Sequence, residues 1–402
     1  MIFCVFLRDF TSFEYMKNKF LTVILIASSI FLVGNNHVLA AESEVNGRWA
    51  VVALSSIYMR ALPDYESALE TQELMGRVVK IVDESSYWRK IESDQPYTAW
   101  CTEKGLVEMD DAQLKEYSNA AKLIVTALYS HIYSSPSEQS LPVTDLVCGD
   151  ILRYADVSNV KDSHGGGVEM YVNYVSVGSP KASDKSRKED GKSYKTVKQR
   201  YRAVNQRGKH SREWLNVLLP TGDAGWVKKS DVADLDKWVM AADDCADNII
   251  ATAKQFVGVP YLWGGMSSKG FDCSGLVRVV YMMNGVLLPR NASQQIYCGK
   301  KIDVCEEHED FAENIEETVK NLRAGDLLFF GYHKGGEIGD RVTHVGIYIG
   351  DGKMIHSSHL VRINSLSPGA PDYYENSWKL IGACRVIGNE NEGSHGFRPR
   401  KF

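Results

Sequence analysis

The chain has 402 residues, of which 44% are hydrophobic and 24% are charged, and its formal net charge is -5 at pH 7. A chain of this length exceeds one ordinary hydrophobic core, so two to four domains are expected. The hydrophobic content argues against wholesale disorder, and the negative net charge gives no reason to expect nucleic acid as a partner.

The N-terminal region carries the features of an export signal. Lys17 and Lys19 precede an apolar run over 20–34, and small residues then lead to a cleavage point after Ala40. We therefore expect residues 1–40 to be removed, with 1–15 as an upstream extension, and the mature protein to be periplasmic or extracellular without stable membrane insertion. An anchor that stays uncut is the alternative, although the apolar run is short for a spanning helix.

Cysteine usage fits an exported protein with a reactive thiol. Cleavage leaves seven cysteines, so at least one is unpaired or pairs between chains. Cys298 and Cys305 are close enough to bridge, but spacing alone assigns no disulfide. The chain has no C-x-x-C or H-E-x-x-H pattern, so no metal and no other cofactor is predicted.

The region 41–112 is predicted to form a small antiparallel barrel, because short apolar runs alternate with turn signals. The predicted strands are Trp49–Leu54, Arg77–Val82, Tyr87–Ile91, Tyr97–Trp100 and Gly105–Val107.

The region 113–236 repeats this pattern, with predicted strands at Leu123–Leu128, Cys148–Arg153, Trp214–Leu219 and Gly225–Lys228. Two related barrels are therefore expected, and both resemble bacterial SH3-like domains. The second contains an insertion at 179–210 with 11 Lys or Arg against 3 Asp or Glu. A basic arm for an anionic polymer is one interpretation, but this composition favours a solvated loop.

The region 237–390 has a different pattern, and a short tail follows at 391–402. Helical spacing predicts helices at Ala246–Val257 and Cys273–Asn284, with Gly285 beyond the second. Strand-like runs follow at Asp326–Phe330, Val342–Ile349, Lys353–His356 and Leu380–Ile387. Helices that precede strands predict an α+β domain.

Cys273 is the candidate nucleophile, because it stands where the second helix begins and Asp272 is a candidate N-cap. A thiol at a helix N-terminus meets free backbone donors and the positive end of the dipole, which favour the thiolate. The same donors can hold a developing oxyanion. A small core residue or half of a disulfide is the alternative for Cys273.

Two histidines supply the candidate base and its partner. His344 lies in an apolar strand, and His356 ends the next strand. A tight turn at Asp351 and Gly352 would bring both rings together in adjacent antiparallel strands. His344 can then take the thiol proton while His356 orients its ring. Histidines satisfied by the backbone are the alternative.

These motifs resemble the NlpC family of cysteine peptidases over roughly residues 242–390. The matching segments are Pro260–Gly265, Asp272–Gly275, His344–Gly350 and Ile355–Ser357. The resemblance implies a papain-like fold that hydrolyses peptidoglycan stem peptides. It also implies Cys273 as nucleophile, His344 as base, His356 as the orienting residue and Tyr261 as an aid near the oxyanion, although Tyr261 could be a core aromatic.

The layout with two SH3-like barrels is similar to that of γ-D-glutamyl-L-diamino acid endopeptidases, which need a free N-terminal L-Ala. The resemblance implies that Asp272, Ser274 and Trp263 line the substrate cleft and that Asp272 pairs with the substrate ammonium. Glu70 and Tyr97 in the first barrel are candidates for the same pocket, and a solvated strand residue is the alternative for Glu70.

The sequence departs from the family pattern at two places that affect the substrate pocket. Ala68 stands where an acidic residue is expected, and Asn291-Ala292 replaces Asp-Ser.

The sequence therefore predicts a monomeric peptidase that cuts the γ-D-glutamyl-L-diamino acid bond of wall-derived peptides. An endopeptidase acting on intact wall, a non-catalytic wall-binding protein and an acyltransferase remain as alternatives.

Overall fold

A computed structural model describes residues 48–93, 97–155, 213–304, 317, 319–332 and 335–389. The predicted export signal, the basic insertion, Cys305 and the tail lie outside the described residues. Within the described ranges, no helix is both long enough and apolar enough to cross a membrane.

The first barrel is an antiparallel sheet whose strands follow the order β3-β2-β6-β5-β4-β1-β7. Its strands are β1 (Trp49–Val52), β2 (Ser56–Arg60), β3 (Leu69–Leu74), β4 (Val78–Ser85), β5 (Trp88–Glu92), β6 (Thr98–Thr102) and β7 (Leu106–Met109). Helix α1 (Asp111–Asn119) follows, and Asp110 caps it by accepting a hydrogen bond from the Gln113 amide.

The second barrel has the equivalent order, β10-β9-β13-β12-β11-β8-β14. Its strands are β8 (Lys122–Val125), β9 (Tyr129–Tyr133), β10 (Pro142–Val147), β11 (Ile151–Tyr154), β12 (Trp214–Leu218), β13 (Ala224–Lys228) and β14 (Val232–Asp234). Each strand corresponds to the one seven places earlier, so the two sheets repeat one topology. The prediction of two SH3-like units before the catalytic domain is confirmed.

Five strands of the barrels were absent from the sequence prediction, namely β2, β3, β9, β10 and β14. Strand β3 is polar in sequence, yet Thr71, Gln72 and Glu73 are buried. Their burial comes from packing against another domain, which local alternation of apolar residues cannot reveal.

The C-terminal domain places helices beside a sheet of order β17-β22-β18-β19-β20-β21. The helices are α2 (Leu235–Ala241), α3 (Ala246–Gln255), α4 (Cys273–Met282), α5 (Ala292–Gln295) and α6 (Ile338–Arg341). The strands are β15 (Met266–Ser267), β16 (Gly270–Phe271), β17 (Lys300–Ile302), β18 (Leu327–Gly331), β19 (Val342–Gly350), β20 (Lys353–Ser358), β21 (Leu360–Ser365) and β22 (Leu380–Arg385). The α+β prediction is confirmed.

Both predicted helices of this domain are shorter than expected. Helix α3 ends at Gln255, and Val257, the last residue of the predicted helix, is 50% exposed. Helix α4 ends at Met282, and Gly285 follows with a φ of 86°, a left-handed conformation that favours glycine. Helix α4 is almost wholly buried and packs on β19 and β20, which fixes the position of its first turn.

The hairpin β15–β16 joins the C-terminal domain to both barrels. The Met266 amide donates to Gln72 Oε1 of β3 at 2.8 Å. Ser268 Oγ donates to the Leu128 carbonyl at 2.6 Å, and the Tyr129 hydroxyl donates to the Ser268 carbonyl. Since β16 leads directly into α4, the barrels anchor the segment that presents Cys273.

Candidate active site

Cys273 opens helix α4 with a partly exposed side chain. Asp272 is the N-cap, since its Oδ1 accepts from the Gly275 amide at 2.7 Å. Burial raises the pKa of the Cys273 thiol to about 11, Asp272 acts in the same direction, and the amides of Val345 and Ser274 oppose them. The helix terminus therefore stabilises a thiolate as expected, but burial outweighs it and the resting thiol is neutral.

The two histidines meet because the β19–β20 turn is tight. Asp351 and Gly352 have φ values of 51° and 66°, as a two-residue hairpin turn of the I′ type requires. His344 Nε2 lies 2.7 Å from His356 Nδ1. The predicted pairing of the rings is therefore present, and the free edge of His344 is its Nδ1 side.

Beyond His356 the chain of contacts continues. His356 Nε2 lies 2.9 Å from Asn364 Oδ1, and Asn364 Nδ2 donates to the Asp372 carbonyl at 2.7 Å. His356 is fully buried. Burial lowers the pKa of His356 to about 4 despite the opposing effect of Asn364, and burial, His356 and Arg362 lower the pKa of His344 to about 3. Both rings are neutral at rest.

The thiol and His344 are neighbours through the start of β19. The Val345 amide, next in the chain to His344, contacts Cys273. Tyr374 packs on both imidazoles, with its ring centroid 5.8 Å from that of His344 and 4.9 Å from that of His356. Burial is the largest cause that raises the pKa of Tyr374 to about 12, and Cys273 is the second, so the phenol is close to the thiol. Within the described ranges no hydrogen bond joins Cys273 to His344. Hydrogen bonds between catalytic groups are often long when no substrate is bound.

Tyr261 and Trp263 lie on the segment before β15. Burial and then Cys273 raise the pKa of Tyr261 to about 12, so its phenol is close to the thiol and stays protonated. The Tyr261 amide donates to the His359 carbonyl at 2.9 Å, which ties this segment to the β20–β21 connection. Trp263 is 70% exposed, so its ring is open to solvent.

Asp272 is engaged by Arg290, a residue that sequence reasoning did not select. Arg290 donates from Nη1 to Asp272 Oδ1 at 3.0 Å and from Nη2 to Asp272 Oδ2 at 2.5 Å. The Gly264 amide and Ser274 Oγ also donate to this carboxylate, at 3.0 Å and 3.2 Å. Both oxygens are thus occupied, and Ser274 Oγ also accepts from Arg290 at 3.0 Å.

The first barrel brings a second carboxylate to this cluster. The Tyr97 hydroxyl donates to Glu70 Oε2 at 2.9 Å, and Arg290 Nε donates to Thr71 Oγ1 of β3 at 2.7 Å. Burial and the hydrogen bond to Glu70 raise the pKa of Tyr97 to about 12. Asp272 also raises this pKa, and Arg290 lowers it, so Tyr97 lies close to both members of the ion pair. The predicted pair of Glu70 and Tyr97 therefore lies beside the buried ion pair of the catalytic domain.

The structure thus brings eight of the nine predicted site residues together around one helix terminus, whereas the side chain of Trp263 is mostly exposed to solvent. It adds Arg290, Asn364 and Tyr374. Arg290 carried a sequence signal, since a charged residue directly follows the apolar run Val286–Pro289. Asn364 and Tyr374 carried none, because only the folded sheet brings them to the histidines.

Comparison with known proteins agrees with this arrangement. The NlpC/P60 family model matches residues 258–379. A gamma-D-glutamyl-L-lysine dipeptidyl-peptidase of Bacillus cereus is 28% identical over 328 residues, which cover 79% of this chain and 75% of that protein. Dipeptidyl-peptidase 6 of Lysinibacillus sphaericus is 24% identical over 83% of this chain and 97% of its own length.

Among solved structures, an NlpC/P60 family protein from Bacillus cereus superposes with a TM-score of 0.57 at 23% identity, over 84% of this chain and 99% of that one. This likeness concerns the fold. The family match identifies residues 258–379 as an NlpC/P60 domain, and the clustered thiol and imidazoles agree with the cysteine peptidases of that family.

Proposed function

We propose that this protein hydrolyses the γ-D-glutamyl-L-diamino acid bond of peptidoglycan stem peptides that carry a free N-terminal L-Ala. One observation carries the proposal: Glu70 of the first barrel lies against the cluster that caps the helix of Cys273. The names of two relatives, which describe dipeptidyl-peptidases, point to the same kind of substrate. A dipeptidyl-peptidase must recognise the amino end of its substrate close to the scissile bond.

In this mechanism His344 takes the proton of Cys273 as the sulfur attacks the scissile carbonyl. A base is required because burial keeps the thiol protonated at neutral pH. The carbonyl oxygen becomes an oxyanion beside the first amides of α4 and the protonated hydroxyl of Tyr261. His344 then gives its proton to the departing amine, which leaves L-Ala-γ-D-Glu bound to sulfur as a thioester. Water, deprotonated by His344, hydrolyses that thioester and restores the thiol.

In this proposal Glu70, more than Asp272, binds the ammonium of the substrate. Arg290, Gly264, Gly275 and Ser274 already donate to the Asp272 carboxylate. Glu70 is half-buried, and its single hydrogen bond within the described residues is the one from Tyr97. It thus keeps acceptor capacity for a cation. Stems whose amine is blocked would leave this carboxylate without a partner, and we expect them to be rejected.

Mass spectrometry of products tests the proposal. The substrates are L-Ala-γ-D-Glu-L-Lys, its diaminopimelate counterpart and the N-acetylated and muramyl-linked forms of both. We expect L-Ala-D-Glu to be released from free stems only. Equal cleavage of blocked and free stems would indicate an endopeptidase that acts on intact wall, and no cleavage of any stem would contradict the proposal. Cys273→Ala is the control for contaminating activity.

We also propose that the enzyme acts outside the cytoplasm as a monomer. The predicted export signal supports the location, and N-terminal sequencing of protein secreted by an expressing cell tests it. A mature chain that begins at Ala41 is the expected result. A chain retained in the cytoplasm with its first 40 residues would contradict it.

A further inference from the structure

Asn364 is held in one orientation by a contact away from the catalytic pair. Its side-chain amide lies 2.7 Å from the Asp372 carbonyl, which can only accept, so the NH2 group must point there. The Oδ1 atom must then point to His356 Nε2, 2.9 Å away. Because Oδ1 can only accept, His356 must carry a proton on Nε2.

This constraint passes through His356 to His344. A neutral imidazole has one N–H, so a proton on His356 Nε2 leaves His356 Nδ1 as a bare acceptor. His344 Nε2 is 2.7 Å from that acceptor and must donate to it. The proton of His344 is therefore on Nε2, and its Nδ1 lone pair is left free for the thiol proton of Cys273.

We propose that Asn364 is a positioning residue that fixes the tautomer of His344 through His356. The proposal rests on the proposed function, in which His344 is the base for Cys273. With the opposite tautomer, His344 would carry a proton on Nδ1 and could not accept one from the thiol. The proton of Cys273 can therefore move only to Nδ1 of His344. This direction is set by the series of hydrogen bonds that runs from the Asp372 carbonyl through Asn364 and His356 to His344.

The surroundings keep both histidines neutral, which the relay requires because a cationic ring has no bare nitrogen. Burial is the main reason that both rings stay neutral. Arg362, directly opposite His356 in the β20–β21 pairing, adds a positive charge that also opposes protonation of both rings. Tyr374 packs on the two imidazoles with its phenol protonated. In the described part of this site no carboxylate contacts either ring, so the acceptor at the end of the relay is a neutral amide.

Nitrogen-15 NMR of the histidine rings in the full chain reads the tautomers directly, without substrate. Long-range proton–nitrogen correlations at pH 7.5 should show His344 and His356 both protonated on Nε2. The signals are assigned with His344→Gln and His356→Gln. A proton on Nδ1 of His344 in the wild-type protein would overturn the proposal, whether or not the enzyme cleaves a stem peptide.

Two substitutions of Asn364 separate positioning from packing. Asn364→Leu removes the acceptor, and we expect mixed tautomers with kcat at least about tenfold lower and KM unchanged. Asn364→Asp keeps an acceptor at the same place. It should retain the tautomers, recover most of kcat and move the acidic limb of the kcat profile to higher pH, because a carboxylate raises the pKa of His356.

Equal losses of kcat in Asn364→Leu and Asn364→Asp, with no difference in their pH profiles, would reduce Asn364 to a packing role and overturn the proposal. Unchanged tautomers in Asn364→Leu would do the same. Since both variants lose the donor to the Asp372 carbonyl, any difference between them reports the acceptor that Asn364→Asp retains, together with its negative charge.

Discussion

The buried pair of Arg290 and Asp272 gives the sharpest test of how this site is held together. Arg290 is 4% exposed and Asp272 is 8% exposed, and two hydrogen bonds join the guanidinium to the carboxylate. Burial by itself would lower the pKa of Arg290, but Asp272 more than offsets this and the pKa is raised. The informative change is Arg290→Met, which keeps the volume and removes the charge.

The expected loss of stability is large because Asp272 would stay buried without its counter-charge. Breaking a buried ion pair by removing one partner costs about 3–5 kcal/mol. Thr71 and Ser274 also lose a charged partner, so we expect about 4–5 kcal/mol in total. In a domain of this size 1 kcal/mol corresponds to about 2–4 °C in Tm, so the catalytic domain should unfold about 10–15 °C lower.

Differential scanning calorimetry measures this shift. The matched control is Lys320→Met in the C-terminal domain, where the exposed Lys320 ammonium faces the exposed carboxylate of Glu317 at 3.4 Å and the loss should be about 1 kcal/mol or less. Adding Asp272→Asn to Arg290→Met should recover part of the stability, because the orphaned charge is gone. If Arg290→Met and Lys320→Met unfolded at the same temperature, the argument from buried charge would be wrong.

Three further results are expected. Cys273→Ala should abolish turnover with an unchanged circular dichroism spectrum, whereas Cys245→Ala, which removes another partly exposed free thiol, should be fully active in the same stem-peptide assay. Glu70→Gln should raise KM for free stems about tenfold, which corresponds to about 1.4 kcal/mol, while the exposed control Glu66→Gln should leave KM unchanged. Equal KM values for the two variants would show that Glu70 does not bind the substrate. Folding lowers the pKa of His356 from about 6.5 to about 4, so the unfolded state binds the proton at higher pH than the folded state does. The free energy of unfolding should therefore decrease as pH falls from about 6.5 to 4, by about 3 kcal/mol in total. Urea titrations should show a weaker pH dependence of this free energy in His356→Gln, and an equal dependence in both proteins would contradict the assignment.

The sequence predicted those parts of the fold whose pattern is local. Helix α4 was found because its apolar residues recur at helical spacing and a capping residue precedes them. The β19–β20 hairpin was found because Asp351 and Gly352 suit a turn with positive φ. Strand β3 was missed because its buried residues are polar, and partners about two hundred positions away satisfy them.

The same distinction explains the site. Cys273 and the two histidines could be named from the sequence because each stands out against its own element. The bond from Arg290 to Thr71 spans 219 positions, and no local pattern encodes it. Asn364 lies eight positions from His356 and reaches it only across paired strands. Arg290 and Asn364 act through contacts that form only in the folded chain, so the sequence pattern around each of them does not reveal its role.

Strand β3 connects stability and specificity in one element. Glu70 is proposed to bind the substrate ammonium, while the next two residues, Thr71 and Gln72, bind Arg290 and the amide of Met266. Deleting the first barrel would therefore remove the ammonium pocket and loosen the segments that hold Cys273 at the same time. A truncated enzyme that lost all activity would not separate the two effects. Glu70→Gln can separate them, because it leaves every contact of Thr71 and Gln72 intact and changes only the charge offered to the substrate.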